Sequence, residues 1–410
     1  MANPVDPGLA DLGRQARELD AVDPLAKFAA EFVRPASVLA YLDGNSLGRP
    51  LKSTGEQYRQ FVEAEWGERL IRSWDERWFE RPLAVGDRIG TLVLGAATGQ
   101  TAVADSTTVL LYKMVRAGVA FGGDRSEIVV DTENFPTDRY IVEAVAAERG
   151  LTVRWLEPDP ATGVTVDEVQ GAISEQTALV VLSHVSYKSA YIADLPAITA
   201  AVHEVGALIL WDLCHSVGVV EVDLDAADVD LAVGCTYKYL NGGPGSPAFG
   251  YVARRLHDDF SQPISGWMGH RDPFAMGPGY HPSSGIRRVL SGTPNILGML
   301  PLMGMLELIE RAGLDRIRAK SVQLTDFVIR AADTYLPQVT MASPRAASER
   351  GGHVLLMHPD MRRIVAELWE IGVIPDFRNP NGLRAGLSPL STTFAEVALA
   401  VRHLQARLVD

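Results

Sequence analysis

The chain has 410 residues, of which 47% are apolar and 22% are charged, a balance typical of a folded globular protein. Its net charge of −13 argues against a nucleic-acid partner, because phosphates attract clustered lysines and arginines. The chain is longer than a domain built around one hydrophobic core usually is, so two domains are expected.

No segment of the sequence predicts export or insertion into a membrane. The N-terminal residues lack a basic start and an apolar run, and the apolar stretch at 297–309 is broken by Pro301 and Gly304. The two cysteines, Cys214 and Cys235, lie beside predicted strands, which suits a reducing compartment. We therefore expect a cytoplasmic protein with no membrane, nucleic-acid or metal partner.

The predicted elements begin with a helical arm over residues 1–40, a turn at 44–48 and two helices within 54–81. From about 100 to 255, strands and helices alternate, which predicts a mainly parallel sheet covered by helices on both faces. The predicted strands are 128–130, 152–155, 178–182, 207–210 and 230–233, and the predicted helices are 136–148 and 195–205.

The remaining elements predict a smaller α/β domain that packs on the first. Residues 266–292 are rich in glycine, proline and serine without a clear period, which indicates an ordered loop that contributes to a site. Beyond this loop, the pattern predicts a helix at 314–335, a strand at 353–357, a helix at 362–371 and a final strand and helix.

Lys238 lies where an apolar strand ends and the glycine-rich turn at 241–245 begins. An amine in that position can reach into a cleft and form a Schiff base, which requires a desolvated lysine of lowered pKa. A lysine that caps a strand at the surface is the alternative interpretation.

Asp212 ends another apolar strand, and His215 follows three residues later. In open α/β sheets, ligands bind beyond the carboxyl ends of the strands, so a carboxylate there points at the site. A carboxylate that faces a pyridine nitrogen keeps it protonated and makes the ring an electron sink. Asp212 and Lys238 together therefore indicate pyridoxal phosphate chemistry, with a helix N-cap as the alternative role of Asp212.

Six segments along the chain resemble the kynureninase family, which belongs to the fold-type I pyridoxal phosphate enzymes. They occur in the family's order at 41–48, 134–140, 211–218, 236–241, 266–270 and 382–390. The resemblance implies an α/β fold with a large domain, whose mainly parallel sheet is of the seven-stranded type and flanked by helices, and a small α/β domain. We expect an N-terminal arm at 1–50 that packs with the small domain, a cofactor-binding domain at 51–290 and the small domain at 291–410.

The resemblance also implies which residues act. Catalysis is assigned to Lys238, as Schiff base and proton carrier, with Tyr237 and Asp212. The implied contacts of pyridoxal 5′-phosphate are Thr107, Thr108, Phe135, Asp138, Ser183, Asp212, His215, Tyr237, Lys238, Trp267 and Thr293. The implied substrate contacts are Arg384, for the α-carboxylate, with Asn45 and Ser46. In the family, Trp267 and Thr293 come across a subunit interface, which implies a homodimer.

Most of these residues also have ordinary structural interpretations. Thr107 and Thr108 open a helix whose N-terminus suits a phosphate, but hydroxyl residues there also cap helices. Phe135 could stack on a pyridine ring or act as a hydrophobic staple, and Asp138 could favour the helix dipole. Arg384 matches a carboxylate with two parallel N–H groups, but most arginines form surface ion pairs. His184 has no match in the family and is expected to be structural.

The implied activity is hydrolytic β,γ-cleavage of L-kynurenine to anthranilate and L-alanine in tryptophan degradation. The preference between kynurenine and 3-hydroxykynurenine stays open, because residues 391–393 lack a tyrosine and residues 66–78 lack a histidine that some relatives carry. Aminotransferases and β-lyases of the same fold type are alternatives, as is a non-catalytic cofactor-binding protein. A cysteine desulfurase is disfavoured because no cysteine follows Cys235.

Overall fold

Two β-sheets organise the chain in the computed structural model, which describes residues 7–408. The strands, numbered along the chain, are β1 (Ala40–Leu42), β2 (Thr101–Ala104), β3 (Glu127–Asp131), β4 (Thr152–Leu156), β5 (Thr177–Ser183), β6 (Leu208–Asp212), β7 (Leu231–Gly234), β8 (Ala248–Val252), β9 (Thr340–Met341), β10 (His353–Met357), β11 (Val373–Arg378) and β12 (Gly382–Gly386). Strands β2 to β8 form one sheet, and β1 with β9 to β12 form the other.

The helices cover these sheets and connect their strands. They are α1 (Pro7–Val22), α2 (Thr54–Gln60), α3 (Arg81–Ile89), α4 (Thr107–Phe121), α5 (Pro136–Arg149), α6 (Val166–Ala172), α7 (Leu195–Glu204), α8 (Leu300–Ala312), α9 (Leu314–Tyr335), α10 (Met361–Glu370) and α11 (Phe394–Leu408). No helix in the part of the chain that the structure describes is long and apolar enough to cross a membrane.

The larger sheet has the strand order β2-β8-β7-β6-β5-β3-β4, and only β8 runs antiparallel to its neighbours. Its inner parallel strands β3, β5, β6 and β7 are apolar and almost wholly buried, as expected when helices cover both faces, whereas the edge strand β4 is largely exposed. The predicted mainly parallel sheet is confirmed. Ser183 lies opposite Asp212 in the β5–β6 register, so the carboxyl ends of these strands bring both side chains to one edge.

The smaller sheet joins the N-terminal arm to the C-terminal part of the chain. Strand β1 pairs in parallel with β11, whereas each neighbouring pair in the order β11, β12, β10, β9 is antiparallel. Leu12 and Ala16 of α1 are buried in the same apolar cluster as Leu324 of α9 and Leu404 of α11. This sheet places Arg384 of β12 next to the turn that follows β1.

The two regular helices expected within 54–81 are wrong in detail, because after α2 the chain forms wide helical turns at Phe61–Glu68 and Trp74–Trp78. Leu70, with φ of 52°, interrupts helical geometry between them. Helix α8 packs in the core of the larger sheet, although the small domain is expected from residue 291; the domain boundaries stay a prediction.

Candidate functional site

Lys238 lies in a tight turn after β7 and is only 9% exposed. Its Nζ atom is 3.3 Å from Nε2 and 3.5 Å from Nδ1 of His215. The turn is closed by two backbone bonds, from Asn241 to the Lys238 carbonyl at 3.0 Å and from Gly242 to the Thr236 carbonyl at 2.8 Å. The structure therefore excludes the interpretation of Lys238 as a surface cap.

Aromatic rings surround the Lys238 amine. Its Nζ atom is 5.9 Å from the ring centres of both Phe135 and Tyr237. The Phe135 ring in turn meets Tyr187 edge to face, with 5.4 Å between centres. Burial raises the pKa of the Tyr237 hydroxyl above its ordinary value, so this group stays protonated near pH 7.

Three buried carboxyl groups lie at the ends of β3 and β6 and in the first turn of α5. Asp212 accepts a hydrogen bond from the Cys214 backbone at 2.8 Å within a non-helical turn. No helix lies between Asp212 and β7 in the described chain, so the helix N-cap alternative is wrong. Asp138 is 2% exposed, and its Oδ2 has no hydrogen-bond partner among residues 7–408. Burial, reinforced by Asp212 and Asp131, raises the pKa of Asp138 well above its ordinary value, and burial raises the pKa of Asp131 to about 7.

Two buried histidines flank the amine. Burial, followed by the positive charge of Lys238, lowers the pKa of His215 well below its usual range, so this ring is neutral at pH 7. The His353 ring lies 5.7 Å from that of His215, and burial lowers its pKa as well. Sequence reasoning missed His353, which opens a strand and belongs to none of the six segments.

Ser183 is connected to Phe135 through one side chain that the sequence analysis did not single out. The Ser183 hydroxyl donates to Oδ1 of Asn134 at 2.7 Å, and the same oxygen accepts from the Phe135 backbone at 2.8 Å. Asn134 is 2% exposed. Its position inside the segment 134–140 was the signal that could have found it.

Thr107 and Thr108 form the first turn of α4, and Thr108 is exposed. The cap of this helix is Ser106, whose Oγ accepts from the Val109 backbone at 3.4 Å. The first N–H groups of a helix have no acceptor inside it, so this turn can bind an anion.

Arg384, Ser46 and Asn45 come together, as the resemblance implies. Arg384 is 1% exposed, which excludes a surface ion pair. Its Nη1 donates to the Tyr187 carbonyl at 2.6 Å and its Nη2 to the Ser46 hydroxyl at 2.7 Å. With the Asn45 amide oriented so that its oxygen faces Arg384, that oxygen accepts from Nε at 3.0 Å. Burial lowers the pKa of Arg384 to about 10, so it remains charged at pH 7.

Trp267 and Thr293 are not joined to the Lys238 group by any hydrogen bond or ring contact within residues 7–408. Trp267 instead packs against three other aromatic rings at 6.0–6.4 Å, namely Trp74, Phe79 and Phe274. Thr293 is exposed. Their contribution to a neighbouring subunit's site stays a prediction.

Across the described residues, no group of three or more His, Cys, Asp or Glu side chains could hold a metal ion. Cys214 and Cys235 are unpaired and buried, and the Cys235 backbone donates to the Cys214 sulfur at 3.2 Å.

Sequence comparisons identify the family. The family model described as the kynureninase C-terminal domain matches residues 317–404, and that of the Cys/Met metabolism PLP-dependent enzymes matches residues 84–265. A curated kynureninase of Burkholderia pseudomallei (strain K96243) is 42% identical over 95% of this chain and 94% of the relative. Another, from Pseudomonas fluorescens, is 42% identical over 94% of this chain and 93% of the relative. The chain belongs to the kynureninase family. The stated resemblance and the pyridoxal phosphate cofactor are thereby confirmed.

Solved structures confirm the fold-type I architecture. The cysteine desulfurase CsdA from Escherichia coli is similar, with a TM-score of 0.81 and 19% identity over 95% of this chain and 99% of that one. A cysteine desulfurase from Thermococcus onnurineus NA1 gives a TM-score of 0.78 and 21% identity over the whole of both chains. At these identities the likeness concerns the fold alone.

Proposed function

We propose that this protein hydrolyses L-kynurenine to anthranilate and L-alanine in tryptophan degradation, with 3-hydroxy-L-kynurenine as a second substrate to be compared. The full-length similarity to named kynureninases supports the reaction. The observation that carries it in the structure is the buried Lys238 amine beside neutral His215, with the Arg384 guanidinium near enough to act on the same histidine.

The residues present fit pyridoxal 5′-phosphate. Asp212 suits the protonated nitrogen of a pyridine ring, the buried Asp138 oxygen without a partner among the described residues offers a polar contact, and Phe135 offers an aromatic face. The first turn of α4, at Thr107 and Thr108, suits the phosphate. When bound, the cofactor supplies an electron sink for the carbanion that forms at the substrate α-carbon.

The side chains around this position have distinct proposed roles. Lys238 holds the cofactor, then removes the α-proton and returns it. Neutral His215 keeps the surroundings of that amine free of a second positive charge. Tyr237, which stays protonated, is a proton donor within reach. Arg384 binds the α-carboxylate, with Ser46 and Asn45 fixing the plane of its guanidinium.

Alternative chemistries of the same fold type can be separated by one assay. The structural neighbours are cysteine desulfurases, but this chain has only two cysteines, both buried and both before Lys238. The cofactor-loaded protein, incubated with L-kynurenine, should release fluorescent anthranilate and alanine in equal amounts without a keto-acid acceptor. Turnover that requires such an acceptor would indicate an aminotransferase, and no consumption of kynurenine would overturn the proposal.

We also propose a cytoplasmic homodimer. Its support is an exposed apolar surface beside Trp267, where Phe274 is 59% and Met276 is 81% exposed. Such exposed patches mark subunit contacts in soluble proteins. The two unpaired cysteines, close together yet not bonded, support a reducing compartment.

A further inference from the structure

The Arg384 guanidinium meets an aspartate whose position is set by the small sheet. Asp376 of β11 lies directly opposite Arg384 of β12 in the antiparallel register, and Arg378 follows two residues later on the same face. Asp376 Oδ2 is 2.7 Å from Nη2 of Arg384 and 2.6 Å from Nε of Arg378. One carboxylate is thus shared by two cations.

These short contacts are poorly aligned as hydrogen bonds. Asp376 Oδ2 is buried, yet it accepts no hydrogen bond of acceptable geometry from the described part of the chain, and the buried Nε of Arg378 donates none there. A buried polar atom left in this state calls for an explanation. Asp376 therefore neutralises Arg384 by charge without taking up its directed N–H groups.

Arg384 keeps two N–H groups that are available to a substrate carboxylate. Its Nε faces Asn45, one Nη1 hydrogen faces the Tyr187 carbonyl and one Nη2 hydrogen faces Ser46. A guanidinium has five N–H groups, so one remains on each terminal nitrogen. Two parallel N–H groups are the fork that binds a carboxylate.

We propose that Asp376 is a placeholder in the following sense. It balances the charge of Arg384 in the ligand-free protein, and the α-carboxylate of the substrate displaces it from Arg384 on binding. This deepens the proposed function, since it takes Arg384 as the carboxylate ligand. When the substrate carboxylate replaces Asp376 at Arg384, the Asp376 carboxylate is not left buried without a cation, because it keeps its contact with Arg378. Asp43, 3.9 Å from Arg384, remains as a further counter-charge. Asp376 thereby lowers the affinity of Arg384 for the substrate carboxylate, because it competes for the same guanidinium. Arg378 raises that affinity, because it holds Asp376 after displacement.

The test compares two probes that differ only at the carboxylate. L-Alanine and L-alaninamide are titrated into the cofactor-loaded protein, and binding is followed by thermal shift and by the cofactor absorbance. The ratio of their dissociation constants reports the contribution of the carboxylate. Because no turnover is measured, the result stays interpretable even if kynurenine proves not to be the substrate.

Two substitutions should move this ratio in opposite directions. Asp376→Asn removes the competitor, so the preference for alanine should rise about three- to tenfold. Arg378→Gln leaves Asp376 with Arg384 alone, so the preference should fall by a similar factor. Asp333→Asn, at an aspartate paired with Arg345 on the surface, is the matched control and should leave the ratio unchanged.

A ratio that falls or stays constant in Asp376→Asn would overturn the placeholder role and make Asp376 a fixed support of Arg384. If Asp376→Asn does not fold, Arg378→Gln decides alone. A constant or increased preference for alanine in that variant would then overturn the proposal.

Discussion

Burial sets the protonation states of the side chains around Lys238. It keeps His215 and His353 neutral by lowering their pKa values, and it makes Asp138 and Asp131 hold protons at unusually high pH. The same physical cause acts in opposite directions because the charged form is a cation in one case and an anion in the other.

His184 allows this effect to be measured outside the catalytic group. Its Nδ1 is 2.9 Å from the Ser216 hydroxyl, and burial, with Arg318 nearby, lowers its pKa to about 4. The unfolded chain takes up this proton below about pH 6.5, whereas the folded protein does not. The free energy of unfolding therefore decreases as the pH falls from 6.5 towards 4, because protonation of His184 favours the unfolded chain.

In His184→Gln, the decrease in unfolding free energy between pH 7 and pH 5 should be about 2 kcal/mol smaller than in the wild type. Urea unfolding of both proteins at the two pH values measures it. An equal decrease in the two proteins would show that His184 takes up its proton normally.

At the scale of elements, the site depends on a close approach between the turn after β1 and strand β12. A Cβ atom on Gly386 would lie 1.7 Å from a terminal amide atom of Asn45, and one on Gly44 would lie 2.1 Å from the Ser388 hydroxyl oxygen. Both contacts are too short for any side chain. Glycine at these positions lets the turn present Asn45 and Ser46 to Arg384.

Gly386→Ala should therefore displace Asn45 and raise KM for kynurenine about tenfold, with a smaller change in kcat. Gly171→Ala in α6 is the matched control, because no atom lies within 4 Å of its added Cβ. That variant should keep its kinetics and gain up to about 1 kcal/mol in unfolding free energy. Steady-state kinetics that are unchanged in Gly386→Ala would refute the role of this close approach.

The sequence predicted the parallel strands well because buried strands are continuous apolar runs, and the helix at 314–335 was predicted with its observed limits. Lys238 and Asp212 were found through the rule that ligands lie beyond strand ends, and the same rule could have found Asp131. Asp376 and His353 could not be found in this way. Their positions follow from antiparallel register and side-chain packing in the small sheet, which local sequence does not encode.

At the scale of the whole molecule, the proposed dimer would bury the exposed aromatic surface around Phe274 at the subunit interface, next to residues expected to complete the partner's site. Phe274 packs against Trp267 at 6.1 Å, and it lies in the glycine-rich loop that the sequence analysis expects to contribute to a site. A charge placed there would be buried without a partner in the dimer.

Phe274→Asp should convert the dimer into a monomer of 44.4 kDa and weaken cofactor binding, since Trp267 and Thr293 are expected to reach the partner's site. Tyr140→Asp, at an aromatic residue of α5 that is 63% exposed, should remain dimeric. Analytical ultracentrifugation with and without cofactor measures both. A wild-type monomer, or a dimer unaffected by Phe274→Asp, would contradict the assignment of this surface.

The assignment of Lys238 can be tested by trapping its bond to the cofactor. Sodium borohydride reduces the linkage between a lysine and pyridoxal phosphate to a stable amine, which survives digestion and is located by mass spectrometry. The reduced cofactor should be found on the peptide that contains Lys238 and should be absent in Lys238→Ala. A label on Lys113 or Lys188 instead, or no label in a protein that still cleaves kynurenine, would contradict the site described above.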